Sequence, residues 1–329
     1  MSCSTKRRAE RRRVEERPPD RAQGRGGKSR RPSGLDYLLL FLPPFFWSTN
    51  FVIGKSLAGE VPPWTLNTGR FAVSALIVLP LIVYRGGWRV PRKYAFTLIV
   101  MSLTGVTAFN SVLYIGLNHT SALNATLVNS TTPLTTAGLA WLLIGERMPR
   151  RRLAGIALSF FGVTWIVARG ELAALVDLRF SFGDVIVLFA TLLWGFYSVM
   201  AKRTMAALSP FVVTAITTVL GALFLLPIAF FELSFQPADL ARAEIVAAFL
   251  YLGALPSFAA FLLWNRSVLL FGPSRAALAY NTLPLHAVWL AAVFLGETLM
   301  PYQLFGGLAI MAGVLLGASA NPATSEKIP

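Results

Sequence analysis

The sequence predicts an all-α integral membrane protein, with ten transmembrane helices built as two inverted five-helix repeats. Three observations lead there. The first is composition: of 329 residues, 55% are hydrophobic and 14% charged, and the mean hydropathy is +0.61, whereas soluble chains are roughly 25% charged. The second is a phrase written twice. GERMPRRRLAGIALSFFGV begins at Gly145, and GETLMPYQLFGGLAIMAGV begins 151 residues later at Gly296. The third is the distribution of Lys and Arg, which alternates from loop to loop.

A helix crossing the hydrocarbon core needs about 20 apolar residues. Runs of that kind recur from Leu35 to the end, at 36–55, 64–84, 94–116, 121–144, 152–169, 182–201, 210–231, 244–270, 275–295 and 302–320. They are continuously apolar rather than alternating, which selects helices over a barrel. The first carries Trp47 and Asn50 and ends at Lys55; the second carries Arg70-Phe71 and Pro80. The third carries Asn110 and Tyr114, and the fourth Asn129-Ser130-Thr131-Thr132-Pro133, closing on Gly145-Glu146. The fifth has Gly155 and Gly162 on one face. The sixth carries Trp194 and Tyr197 and ends at Lys202, the seventh Pro227, and the eighth Trp264-Asn265. The ninth carries Tyr280-Asn281-Thr282-Leu283-Pro284 and His286 before Gly296-Glu297, and the tenth has Gly306 and Gly313.

Shifted by 151, residues 133–163 match 284–314 at ten of 31 positions. Pro133, Gly145, Glu146, Gly155 and Gly162 meet Pro284, Gly296, Glu297, Gly306 and Gly313. At a shift of 147, Trp47, Lys55, Pro63 and Pro80 meet Trp194, Lys202, Pro210 and Pro227. A four-residue length change between the blocks reconciles the shifts. The domains follow: a disordered basic tail at 1–34, a first repeat at 35–169 and a second at 182–320. Five helices per repeat is odd, so the second repeat starts on the opposite side. Inverted repeats of this kind mark secondary transporters, with the site near the midplane between them.

Loop charges orient the chain. With the tail in the cytoplasm, the inside loops hold Arg85, Arg89, Arg92 and Lys93, then Arg147 and Arg150 to Arg152, then Lys202 and Arg203, then Arg275. The outside loops 56–63, 117–120 and 296–301 hold no Lys or Arg. Both termini are therefore expected in the cytoplasm, with the chain multi-pass in the cytoplasmic membrane. The net charge of +15 is concentrated in residues 1–34, which carry twelve Lys and Arg against four acids. That tail has no aromatic residue to stack a base, which argues against nucleic acid. It suits a solvated tail, with contact to anionic lipid as the second reading. The single cysteine, Cys3, excludes an internal disulfide and a cysteine-based metal site. Cleavage of the basic start as a signal peptide is rejected, because the first helix has a partner in the second repeat.

At these motifs the chain resembles the EamA-type family of the drug/metabolite transporter superfamily. The resemblance covers residues 36–320 and rests on the ten-helix inverted repeat, the two Gly-Glu endings, the Gly-x6-Gly that follows each, and Arg70-Phe71. It implies an inner-membrane exporter or permease of amino acids, other metabolites or drugs. It also implies a central cavity lined by helices 1, 3, 4, 6, 8 and 9, with 5 and 10 behind.

Intramembrane charges are costly and usually functional, and few are present. Asp36, Glu146, Asp184, Glu232, Glu244 and Glu297 fall at helix ends, and Lys55 and Lys202 can snorkel. No carboxylate pair, His cluster or Ser–His pair supports an enzyme; no catalytic residue, metal or cofactor is expected. Arg70 is expected to be structural, with Pro133, Glu146, Pro284 and Glu297. The two glutamates are expected to bond backbone N–H groups at the next helix start. Pro133 and Pro284 each remove a helical hydrogen bond, freeing the carbonyls of Asn129 and Tyr280 either to neighbouring hydroxyls or to a ligand.

The expected substrate cavity comprises Trp47, Asn50, Asn110, Tyr114, Asn129, Trp194, Tyr197, Trp264, Asn281 and His286. Aromatics and amides without fixed charge suit a zwitterionic or weakly polar organic solute. His286 is the one candidate proton carrier, yet burial disfavours its charged form, and its partner in the first repeat is Thr135. Facilitated efflux of a small-molecule substrate is favoured, with a lipid-linked flippase or a non-transport scaffold as alternatives. The expected partners are that substrate and the lipid bilayer; a homodimer is left open.

Overall fold

The apolar runs form α1 (Gly34–Leu40), α2 (Leu42–Ser56), α3 (Pro63–Tyr84), α4 (Ala95–Met101), α5 (Phe109–Asn118), α6 (Ala122–Asn129), α7 (Thr132–Ile144) and α8 (Arg150–Val167). The second half follows as α9 (Phe182–Thr204), α10 (Pro210–Phe235), α11 (Ala243–Leu252), α12 (Ala260–Phe271), α13 (Pro273–Tyr280), α14 (Leu283–Leu295) and α15 (Pro301–Ala318). The computed structural model describes residues 33–57, 59–84, 90–120, 122–176, 181–295 and 298–319. The tail with Cys3, and Glu297 with Gly296, lie outside the described residues. No strand occurs among the described residues.

Among the described residues six helices are long and apolar enough to cross a membrane: Pro63–Tyr84, Arg92–Leu113, Phe182–Thr204, Pro210–Phe235, Ala243–Phe271 and Pro301–Ala318. The other four runs are shortened for readable reasons. Residues 36–55 break at Phe41, ahead of Pro43 and Pro44. The α6–α7 and α13–α14 runs break ahead of Pro133 and Pro284. The fifth, α8, spends its first turn on Arg150, Arg151 and Arg152.

The exterior is apolar and the interior carries polar groups, the inverse of a soluble bundle. Leu76, Val83, Phe96, Leu142, Phe230 and Leu308 are each at least 69% exposed. Asn50, Asn67, Arg70, Thr217 and Asn265 are buried. Exposed apolar surface on this scale needs lipid or a partner to cover it.

The two halves match in geometry as well as in sequence. Helices α4 to α5 and α11 to α12 are each joined by a π-helical turn, at Ser102–Ala108 and Gly253–Ala259. These correspond at the 151 shift. The sequence predicted plain helices there, since the flanking runs are apolar on most sides and carry no clear helical phase from which a slip could be read. The four-residue length change resides in α10, which has 26 residues where α3 has 22.

Helices α8 and α15 pack backbone to backbone, as small residues allow in lipid. A Cβ on Gly155 would stand 2.5 Å from the Gly313 carbonyl oxygen, and one on Gly162 would stand 2.6 Å from that of Gly306. One helix is read upward and the other downward, so they are antiparallel. Gly155 and Gly306 are sequence partners, as are Gly162 and Gly313. Each glycine therefore meets the partner of its neighbour, the pattern that a two-fold rotation produces.

The proline breaks correct one expectation. Pro133 and Pro284 stand at the second position of α7 and α14, not inside a continuous kinked helix. The freed carbonyl of Asn129 accepts the Thr132 hydroxyl at 2.6 Å, because a hydroxyl three residues on reaches back more easily than a ligand reaches in. Beside Pro284 the Thr282 hydroxyl bonds the Ala279 carbonyl at 2.7 Å, one residue before the freed carbonyl of Tyr280.

Candidate functional site

A central cavity lies between α2, α3, α5, α9, α12 and α13. It is lined by Trp47 and Asn50, Arg70, Phe109, Asn110 and Leu113, and by Trp194, Phe261 and Tyr280. Its free volume is about 20 Å³, the scale of one water molecule. A metabolite cannot occupy it until its walls part.

Trp47 and Trp194, sequence partners in the two repeats, meet edge to face with ring centroids 5.2 Å apart at 89°. The Trp47 indole N–H donates to the Pro256 carbonyl at 3.0 Å, which lies in the second π turn. Trp194 packs on Phe109 at 5.0 Å and on Phe261 at 5.4 Å. Its indole nitrogen is buried and has no hydrogen-bond partner among the described residues. Such a donor is a rarity in a protein interior.

Arg70 is 2% exposed. Its Nε donates to the Ser257 hydroxyl at 2.7 Å and its Nη1 to the Asn50 side-chain oxygen at 3.0 Å. Both acceptors are neutral. A guanidinium remains charged in any such environment, and among the described residues Arg70 is the one charged side chain lining the cavity.

Of the expected residues, the structure brings Trp47, Asn50, Asn110 and Trp194 to the lining. Tyr197 and Trp264 stand one layer back: Tyr197 stacks on Trp194 at 5.3 Å, and Trp264 packs on Trp47 at 5.4 Å. The Trp264 indole donates to Ser198, and Asn265 bridges Tyr197 and Thr214. Three expectations are corrected. Asn281 turns to α8 and donates to the Ser159 hydroxyl at 3.0 Å. His286 stands 3.2 Å from the Thr282 hydroxyl and meets Phe45 edge to face at 5.7 Å, away from the lining. Asn129 ends α6 with its side-chain oxygen buried and without a hydrogen bond, also off the lining. The Tyr114 side chain lies outside the described residues.

Arg70 is corrected in the other direction: expected to be structural, it faces the cavity, so helix 2 lines the site while helix 4 does not. Phe109, Leu113, Phe261 and Tyr280 were not anticipated as lining. A signal existed for Phe261, the repeat partner of Asn110 at the 151 shift.

Four of the acids at helix ends, Asp36, Glu146, Asp184 and Glu232, are engaged. Glu146 accepts Arg152 Nη1 at 2.7 Å, a side-chain partner rather than the expected backbone N–H groups. Gly145 positions it by ending α7 at φ 66°, a left-handed turn that favours glycine. The Lys202 ammonium does not merely snorkel; it donates to the Leu269 carbonyl at 2.6 Å, tying α9 to α12. Asp36 accepts Arg266 at 2.7 Å. At the other end of the bundle, Glu232 on α10 accepts the Trp64 and Thr65 N–H groups that open α3, at 3.1 and 2.7 Å. Asp184 accepts the Ser181 N–H, Thr120 and Asn124. Among the described residues no cluster of three His, Cys, Asp or Glu side chains could hold a metal.

Known proteins share the fold and the two-part sequence. A crystal structure 20% identical in sequence shares the fold, with a TM-score of 0.72 over 87% of this chain and 96% of that one. An uncharacterized transporter of Archaeoglobus fulgidus is 30% identical over 281 residues, 85% of this chain and 96% of the relative. A probable terminal-alkyne amino-acid exporter of Streptantibioticus cattleyicolor is 29% identical over 254 residues, 76% of this chain and 82% of the relative. Residues 35–168 and 181–318 each match the EamA-like transporter family. With its two matching halves, its apolar exterior and a cavity where the halves meet, the chain belongs to the EamA-like transporter family.

Proposed function

We propose that this multi-pass membrane transporter moves a small organic metabolite, an amino acid or a similar solute, out across the cytoplasmic membrane by alternating access. In this reading all ten helical runs cross the bilayer, the two repeats are inverted, and both termini face the cytoplasm. One observation carries it: the cavity is centred where Trp47 and Trp194, equivalent residues of the two repeats, touch. A site on a pseudo-two-fold axis is reached equally from either side when the repeats exchange conformations. The amino-acid exporter of S. cattleyicolor supports the substrate class and the direction. Efflux is uncoupled or weakly coupled to protons, a reading supported by the lack of Asp, Glu or His in the lining among the described residues.

Counterflow in proteoliposomes with an amino-acid and metabolite panel, with and without a pH gradient, tests the reading. Saturable exchange of a panel member without a gradient is expected; no exchange of any member overturns it. Reporter fusions after Ile328 and within the loop 170–181 are expected on opposite faces. The same face for both would end the inverted arrangement.

A further inference from the structure

The two repeats do not line the cavity alike. Asn50, Arg70 and Asn110 all come from the first half, whereas Trp194, Phe261 and Tyr280 come from the second. The asymmetry holds position by position. At the 147 shift, Arg70 is matched by Thr217 and Asn50 by Tyr197; at the 151 shift, Asn110 is matched by Phe261. The amides and the cation of the lining thus come from the first half, beside Trp47, Phe109 and Leu113, whereas the second half contributes only aromatic residues.

We infer that the site takes an amphipathic organic carboxylate, its anionic head on Arg70 and Asn110 and its apolar body against Trp194, Phe261 and Tyr280. This rests on the transport reading above and sharpens it to a substrate class. Three observations carry it. Arg70 is oriented toward the cavity by the side-chain oxygens of Asn50 and Ser257. Among the described residues no acidic side chain lines the cavity to attract a cationic amine. The indole nitrogen of Trp194, a residue 1% exposed, is an unpartnered donor, which a carboxylate oxygen can satisfy. A planar guanidinium matches a carboxylate with two parallel hydrogen bonds, and aromatic walls suit alkyl or aryl bodies. An inorganic anion would leave the aromatic wall unused. The α-carboxylate of an apolar amino acid and a simple aryl or alkyl acid share this chemistry.

The test uses three probes with one ring: phenylacetate, phenylacetamide and phenethylamine. Their binding to the full-length protein in nanodiscs is read from the fluorescence of the cavity tryptophans. Saturable binding of phenylacetate is expected, with the neutral and cationic probes weaker by about tenfold or more, the scale of a hydrogen bond to a charged group. Arg70→Gln is expected to abolish the discrimination and Arg70→Lys to retain part of it. Because Arg70→Gln also loses the Ser257 contact, Trp194→Phe serves as a second variant. It keeps a ring and removes the N–H, and is expected to weaken phenylacetate more than phenylacetamide. Equal binding of the three probes, or preference for the amine, overturns the inference, as does unchanged discrimination in both variants. Counterflow separates the two readings. Exchange of the amide or amine but not the acid sinks the carboxylate assignment alone, whereas tight acid binding without exchange of any solute sinks transport alone.

Discussion

Replacing Gly155 by alanine adds one methyl group at the tightest place in the α8–α15 contact. That methyl would lie 2.5 Å from the Gly313 carbonyl oxygen and 2.6 Å from the Gly317 nitrogen. Ordinary contact begins at 3.4 Å, a shortfall of about 0.9 Å, and both obstacles are backbone. No rotamer change relieves the clash, so one helix must move. Overpacking of this kind costs typically about 1–3 kcal/mol, and a gap of 0.5–1 Å forfeits about a quarter to a half of the dispersion energy along the separated face. Intrinsic helix propensity opposes this by about 0.5–1 kcal/mol in favour of alanine.

Gly138 isolates the propensity effect. It sits on α7 with nothing within 4 Å of its would-be Cβ, so Gly138→Ala should be neutral or stabilising. Thermal unfolding of the purified full-length protein, followed by tryptophan fluorescence, is expected to show a lower midpoint for Gly155→Ala and none for Gly138→Ala. The pseudo-symmetry adds a sharper expectation. Gly313→Ala meets the Gly155 oxygen at 2.6 Å and the Ser159 nitrogen at 2.5 Å, so it should cost about as much. Once the helices have separated for one methyl the other is partly accommodated, so the double variant should cost less than the sum. Unfolding of Gly155→Ala at the wild-type midpoint, or strict additivity in the double variant, would refute the packing reasoning.

Other expectations follow from single contacts. Glu146→Gln leaves Arg152, whose side chain is 4% exposed, without its carboxylate, and should destabilise by roughly 3 kcal/mol. Glu146→Leu with Arg152→Leu should cost less than the single change, by the same unfolding measurement. Glu232→Ala removes the acceptor for two N–H groups at the start of α3 and should cost about 0.5–2 kcal/mol. Faster amide exchange at Trp64 and Thr65 is the local signature to look for. His286→Gln should leave counterflow and its pH dependence unchanged, because the imidazole contacts Thr282 and Phe45 rather than the cavity. Loss of a pH-driven component in that variant would restore histidine as a proton carrier.

Composition and repetition by themselves determined the membrane class, the helical runs and the two-fold repetition. Apolar length is a one-dimensional property, and lipid leaves the backbone no alternative to helix or closed barrel. The glycines Gly155, Gly162, Gly306 and Gly313 announced a close packing face in the same way, since side-chain size is written in the residue itself. Trp47, Asn50, Asn110 and Trp194 could be picked out as candidates facing the central cavity, because aromatic and amide groups in the middle of an apolar helix need a reason. What only the tertiary structure decided was which polar group faces which neighbour. Asn281 and Asn110 look alike in sequence, yet one bonds Ser159 on α8 and the other lines the cavity. His286 and Arg70 traded their expected places for the same cause. A helix offers a side chain several directions, and its rotation about its own axis is set by helices distant in sequence. The π turns at Ser102–Ala108 and Gly253–Ala259 add to this. Each shifts the angular phase of the residues that follow, so Phe109 and Phe261 arrive at the cavity on a face that a 3.6-residue period does not predict.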